Sequence, residues 1–136
     1  MHIIVCLDDA DGMMFNKRRQ SSDRLVCCRI LEKTAHSRLW MNAYSAKLFV
    51  GKEARINIDE AFLEKCPDGE WCFVETQDVS AWADKIESIT VYRWNRRYPS
   101  DKKFPSVIFE TGWHPVRRED FPGNSHETVT EEVYAR

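Results

Sequence analysis

Three short polar stretches each follow an apolar run. Asn16-Lys17-Arg18-Arg19-Gln20, with Ser21 and Asp23, comes after the first run; Asn42, Tyr44 and Ser45 come after the second; Glu75-Thr76-Gln77 comes after the third. An apolar run that turns abruptly polar is the signature of a buried strand reaching its carboxyl end. In open α/β sheets that end is where ligands bind. The side chains suit anion recognition. A guanidinium at Arg18 or Arg19 can fork onto a phosphate or carboxylate, and Asp23 can pair with an amidine-like ring or exchange a proton. Asn16, Arg18, Arg19, Gln20, Asp23, Asn42, Tyr44, Ser45 and Glu75 are therefore the candidate ligand-binding set. The same residues have plainer uses. Ser21 and Asp23 are good helix caps, and loop arginines are ordinarily solvated.

Other chemistry is more weakly signalled. His114 and His126 could act as an acid/base pair, and His126 with nearby arginines could serve a metal-free ribonuclease, but no spacing joins the two histidines. Trp94-Asn95-Arg96-Arg97-Tyr98 interleaves aromatics with cations, as single-strand nucleic-acid binders do. A net charge of −2 supplies no global field for such binding, so nucleic acid is not the expected partner. Asp8 and Asp9 offer one carboxylate pair without a third, too little for a divalent cation. The five cysteines, Cys6, Cys27, Cys28, Cys66 and Cys72, contain no CxxC, and His2, His36, His114 and His126 are scattered. Reduced, mostly buried thiols and no metal site are the expectation.

The elements that must position these residues fit one domain of 136 residues. Hydrophobic residues at 43% supply a core and argue against disorder. The apolar start His2–Leu7 runs straight into Asp8-Asp9, too short for a signal peptide, and no run approaches a membrane span. A soluble, cytoplasmic protein is expected. Strands are predicted at 2–7, 38–41, 55–58, 71–75 and 89–94. Helices are predicted from Ser21 or Ser22 through Leu31, over 44–49, from Asp59 to Cys66, and from Asp78 or Ser80 to Ile86. Residues 8–20 read as a long loop. From Tyr98 onward no helical periodicity is visible, and extended runs stand at 107–109, 113–116 and 128–134. Alternating strands and helices followed by strands predict a mostly parallel α/β sheet, helices on both faces, with an antiparallel C-terminal edge. Continuous apolar strands fit burial on both faces.

That order, with local sequence, resembles dihydrofolate reductase. IIVCLDDADGMMF is similar to the reductase's first strand and following loop, including Gly12. Ser22-Asp23 stands at the head of the first helix, where the reductase carries its pterin-binding acid. LWMNAYS resembles the second strand and the turn holding Gly-Arg-x-Thr. ITVYRWNRRYPSDKKFP resembles the strand and loop ending in Phe-Pro, and GWHPVRRED with NSHETVTEEVYAR resembles the final hairpin. The chain also resembles a group of small proteins from anaerobic Gram-positive bacteria, some labelled ribonuclease Z. It lacks the HxHxDH zinc motif that ribonuclease Z needs and is far too short for that enzyme.

The departures fall on the reductase's cofactor side. Where the resemblance implies a Gly-Gly pair that lets backbone approach a pyrophosphate, this chain has Glu75-Thr76-Gln77. Where it implies Gly-Arg-x-Thr, the chain has Asn42-Ala43-Tyr44-Ser45. No dinucleotide cofactor is expected. The leading expectation is a binding or interaction protein on a reductase-like fold, with a protein or a small anion as partner; by analogy, inhibitors or regulators of bacterial defence nucleases are of this size. The alternative is an enzyme acting on a nucleotide- or pterin-like anion through Arg18, Arg19, Asp23 and Tyr44.

Overall fold

A computed structural model describes residues 1–110 and 112–136 of the chain. Its centre is β1 (His2–Leu7), flanked in parallel by β6 (Trp71–Val74) and β7 (Ser88–Arg93). Ile3 pairs with Cys72 on one side and Ile89 on the other. Alternate side chains of β1 feed two cores: Ile3, Val5 and Leu7 join Phe62, Val74 and Ile86 in one, and Ile4 joins Val26, Ile30 and Phe73 in the other. Burying such an aliphatic side chain contributes about 1.5–3 kcal/mol. A strand loaded on both faces has no polar alternation to show, which is why the run Ile3-Ile4-Val5 reads as continuous.

The full sheet has seven strands in the order β5-β4-β6-β1-β7-β10-β9, with β4 at Leu39–Met41, β5 at Ile56–Ile58, β9 at His114–Phe121 and β10 at Val129–Ala135. Strands β4, β5, β6, β1 and β7 pair in parallel, and β10 runs antiparallel to both β7 and β9. The mostly parallel sheet with an antiparallel C-terminal edge matches the expected fold class. Helix α1 (Arg24–Lys33) covers one face through Val26 and Ile30, one turn apart, while Leu25 is exposed.

Several local expectations need correction. Residues 8–20 are not simply a loop: β2 (Gly12–Phe15) and β3 (Arg18–Arg19) form a hairpin that β8 (Lys102–Lys103) extends into a second sheet. The hairpin turns on Asn16 and Lys17, at φ 52° and 63°. A two-residue turn with both residues left-handed matches strand twist, but it is usually announced by Asn-Gly, and Lys17 hides it. The first helix is capped by Asp23, the plainer of the uses considered for that residue, and not by Ser21 or Ser22. The segment 107–109, expected to be extended, lies in a short helix α4 (Ser106–Glu110) that follows Pro105. The helices expected near 59–66 and 78–86 contract to α3 (Phe62–Lys65) and a 3-10 stretch at Ser80–Lys85. The expected helix at 44–49 is α2 (Ala43–Ala46) running into a 3-10 turn at Lys47–Phe49.

Candidate functional site

The carboxyl ends of β1, β4 and β6 meet the β2–β3 hairpin, and five of the candidate residues converge there. Arg19, on β3, makes a bidentate ion pair with Glu75: Nε lies 2.8 Å from Oε2, and Nη2 lies 3.0 Å from Oε1. Ser45 Oγ donates to the same Oε1 at 2.7 Å. The Arg19 guanidinium lies 4.3 Å from the centroid of the Tyr44 ring, and the Arg19 backbone N–H donates to the Tyr44 hydroxyl. Asn42 caps α2, its Oδ1 accepting from Ser45 N. Glu75 is 8% exposed and Ser45 1%. The predicted polar set thus comes together, but its members satisfy one another. Behind the ion pair, the slot lined by Cys6, Val26, Cys27, Phe73 and Trp94 has room for about 10 Å³, one water at most. Burial pushes the Cys6 thiol well up, and burial, reinforced by Cys28 and Glu75, pushes Cys27 up to about 11.

Asp23 also lies at this end but is engaged elsewhere. As the α1 N-cap it accepts from Leu25 N at 2.9 Å. Its carboxylate also accepts from Asn124 N at 2.9 Å, from Ser125 N at 2.9 Å and from Ser125 Oγ at 3.2 Å. Gly123 makes this closeness possible, since a Cβ there would stand 2.7 Å from Asp23 Oδ2. His126 Nδ1 lies 2.9 Å from the same oxygen. Burial opposes ionisation of Asp23, and the donors from Asn124, His126, Ser125 and Leu25 outweigh it, so the carboxyl is held far below its usual range. An ionised carboxylate can only accept, so His126 Nδ1 carries the proton toward it. His126 Nε2 then meets Ser21 Oγ at 2.9 Å and Tyr98 OH at 3.3 Å. The ring is stacked on Trp94, centroids 4.5 Å apart and planes 20° apart.

The remaining candidates do not join either cluster. Arg18 and Asn16 are exposed on the hairpin, where Asn16 N donates to Asp101. Gln20 donates to Asp8 Oδ2 and to Pro99 O. Asp8 is buried and accepts from the N–H groups of Ala10, Gly12 and Tyr98 as well, a structural knot. His114 begins β9 opposite Ala135, the last residue of β10, whereas His126 precedes the first; the seven-residue strand between them spans about 20 Å, so the two are no acid/base pair. Sequence reading set Ser21 among the polar groups after the first strand or as a helix cap and never joined His126 to Asp23. Gly123, a glycine before Asn-Ser, hints at a close backbone approach, yet nothing in the sequence says to what.

No protein-family model matches the sequence, and no curated protein matches it significantly. Among solved structures, a dihydrofolate reductase from Enterococcus faecalis, complexed with NADP(H) and RAB-propyl, superposes with a TM-score of 0.69. The superposition covers 99% of this chain and 95% of that one, at 10% identity. The chain has a dihydrofolate reductase-like fold. At this identity the likeness shows the fold alone. The residues present do not suit the nicotinamide dinucleotide that the fold suggests. A reductase-like pyrophosphate site needs bare backbone after β6, and the buried Glu75 side chain stands there, locked to Arg19. Among the described residues no group of three or more His, Cys, Asp or Glu side chains could hold a metal ion, and no helix is long and apolar enough to cross a membrane.

Proposed function

We propose that this chain is a binding protein built on a reductase-like fold and that it does not transfer hydride. The observation that carries this reading is the Arg19–Glu75 ion pair closing the crevice, with Ser45 completing the carboxylate's bonds. The anion-clamping arginine already holds an internal anion, and Asp23, the acid at the head of α1, has its acceptor sites filled by backbone and His126. Neither group is free for a nucleotide- or pterin-like ligand, which counts against the enzyme alternative.

What remains available is the rim. Lys17, Arg18, Lys102 and Lys103 are exposed around the β2–β3–β8 sheet with Asp101 and with Phe15, which is 47% exposed, and Arg96 and Arg97 are exposed as well. A cationic rim with one bare aromatic suits an acidic protein surface better than it suits a small molecule. Regulation of a nuclease would be one instance of such binding. The test is a thermal-shift series with NADP(H), NAD(H) and folate. No saturable shift is expected. A ligand at 100 times its Kd would add about 2.7 kcal/mol of stability, so a saturable rise with any of them overturns the reading.

A further inference from the structure

We propose that Ser21, His126 and Asp23 form a nucleophilic relay that takes short acyl groups from esters with a polar alcohol portion. The geometry runs Ser21 Oγ to His126 Nε2 at 2.9 Å, then His126 Nδ1 to Asp23 Oδ2 at 2.9 Å. That is the order nucleophile, base and orienting carboxylate require. The proposal is independent of the closed crevice and of any binding role.

Three features separate this relay from an incidental hydrogen-bond chain. The Ser21 hydroxyl has no structural duty, because Asp23 caps α1 and His126 is the only partner of Ser21 Oγ among the described residues. Asp23 is pinned by N–H donors from Leu25, Asn124 and Ser125 and cannot swing away from Nδ1. The imidazole plane is fixed by the Trp94 indole beneath it. The carboxylate holds the tautomer, and the stacked ring holds the plane, in which the Nε2 lone pair faces the hydroxyl. Tyr98 OH, 3.3 Å from the same nitrogen, is the other hydroxyl at Nε2.

The relay also lies between two unlike spaces. On the Ser21 side is the apolar slot with room for about 10 Å³; on the His126 side is an open cleft of about 320 Å³ lined by Asn95, Arg96, Ser125, Glu127 and Thr128. The slot, with room for one water at most, takes no acyl chain, so the ester enters from the polar cleft, and an acyl group short enough to need no apolar pocket suits it. In the step, Ser21 Oγ bonds to the acyl carbon and its proton passes to His126 Nε2. The ester C–O bond then breaks, and the departing alcohol oxygen takes that proton. Water, deprotonated by His126, releases the acid from Ser21 and restores the hydroxyl. The balance is ester plus water to acid plus alcohol.

A small fluorophosphonate tests the nucleophile: Oγ–P forms, P–F breaks, and the serine proton leaves with fluoride. Intact mass and peptide mapping should show one adduct at Ser21, formed about 100-fold faster than at the exposed neighbour Ser22, since a positioned base is worth about 100-fold or more. Ser21→Ala, which keeps the Asp23 cap and so the fold, should abolish it, and His126→Gln should slow it by a similar factor. No adduct at Ser21 in the folded protein, or equal labelling of Ser21 and Ser22, overturns the proposal, and that ratio decides even where His126→Gln fails to fold. For the acyl class, the Ser21-dependent rate on p-nitrophenyl acetate should exceed that on the octanoate at least about tenfold, as a site with no apolar pocket for extra methylenes requires. Equal rates overturn the short-acyl assignment.

Discussion

Arg19 and Glu75, 56 positions apart in the chain, close the crevice of a reductase-like fold with a two-pronged ion pair at 2.8 and 3.0 Å. Each side chain is of a type that could meet a ligand, and each meets the other. Removing Arg19 would leave Glu75 buried without its cation. Arg19→Met is expected to lower unfolding free energy by about 2–4 kcal/mol, somewhat under the full cost of breaking a buried pair because the guanidinium is partly solvated. Arg19→Met with Glu75→Gln, which keeps an acceptor for Ser45, should recover at least about 1 kcal/mol of that loss. Urea denaturation of the single and double variants checks both values.

The depressed Asp23 carboxyl sets an acid dependence. Its folded-state pKa lies below the unfolded value, so its stabilisation is fully present above about pH 4 and is lost as pH falls through the folded pKa. Asp23→Asn should weaken the protein at neutral pH, because the donors of Asn124 and Ser125 lose a charged acceptor. It should also flatten the fall in stability between about pH 4 and 2. The midpoint of urea unfolding measured across that range would show the same slope in both proteins if the account were wrong.

The thiols should separate by burial. Cys28 is exposed, whereas Cys6 and Cys27 face the apolar slot with raised pKa values and Cys72 is fully buried. With a thiol reagent at about pH 8, near the ordinary thiol pKa, Cys28 is expected to react first in the native protein. Cys6 and Cys27, half-buried with raised pKa values, should follow, and Cys72 should react only at the rate of unfolding. Mass spectrometry of partially labelled protein reads the order.

Lys17 holds a left-handed conformation in the β2–β3 turn, at φ 63°. A side chain there costs roughly 1–2 kcal/mol, of which glycine would return part after its own entropy cost. Lys17→Gly should therefore stabilise the fold by about 0.5–1 kcal/mol. A lower melting temperature would contradict this reading of the turn.

What the sequence disclosed and what it concealed follow from range. β1 was legible because Ile3, Ile4 and Val5 are buried whichever way they point. The β2–β3 hairpin was not, since Asn16-Lys17 lacks the glycine that normally marks such a turn. Helix α4 spans only Ser106–Glu110, too short to show a period, and Pro105 just before it was the available signal. The convergence of Arg19, Tyr44, Ser45 and Glu75 could be anticipated from strand ends alone. Their mutual satisfaction could not, because pairing depends on side-chain direction across the crevice. His126 reaches Asp23 from 103 residues away through the 122–125 turn. No local pattern encodes that contact.

The claim that the crevice is closed to its fold's dinucleotide is tested most directly by titrating the protein into NADPH and following the nucleotide's own fluorescence. The account predicts no saturable change with the native chain up to high micromolar protein. Saturable binding that Arg19→Met abolishes would contradict it, by showing that the guanidinium serves the cofactor and not Glu75.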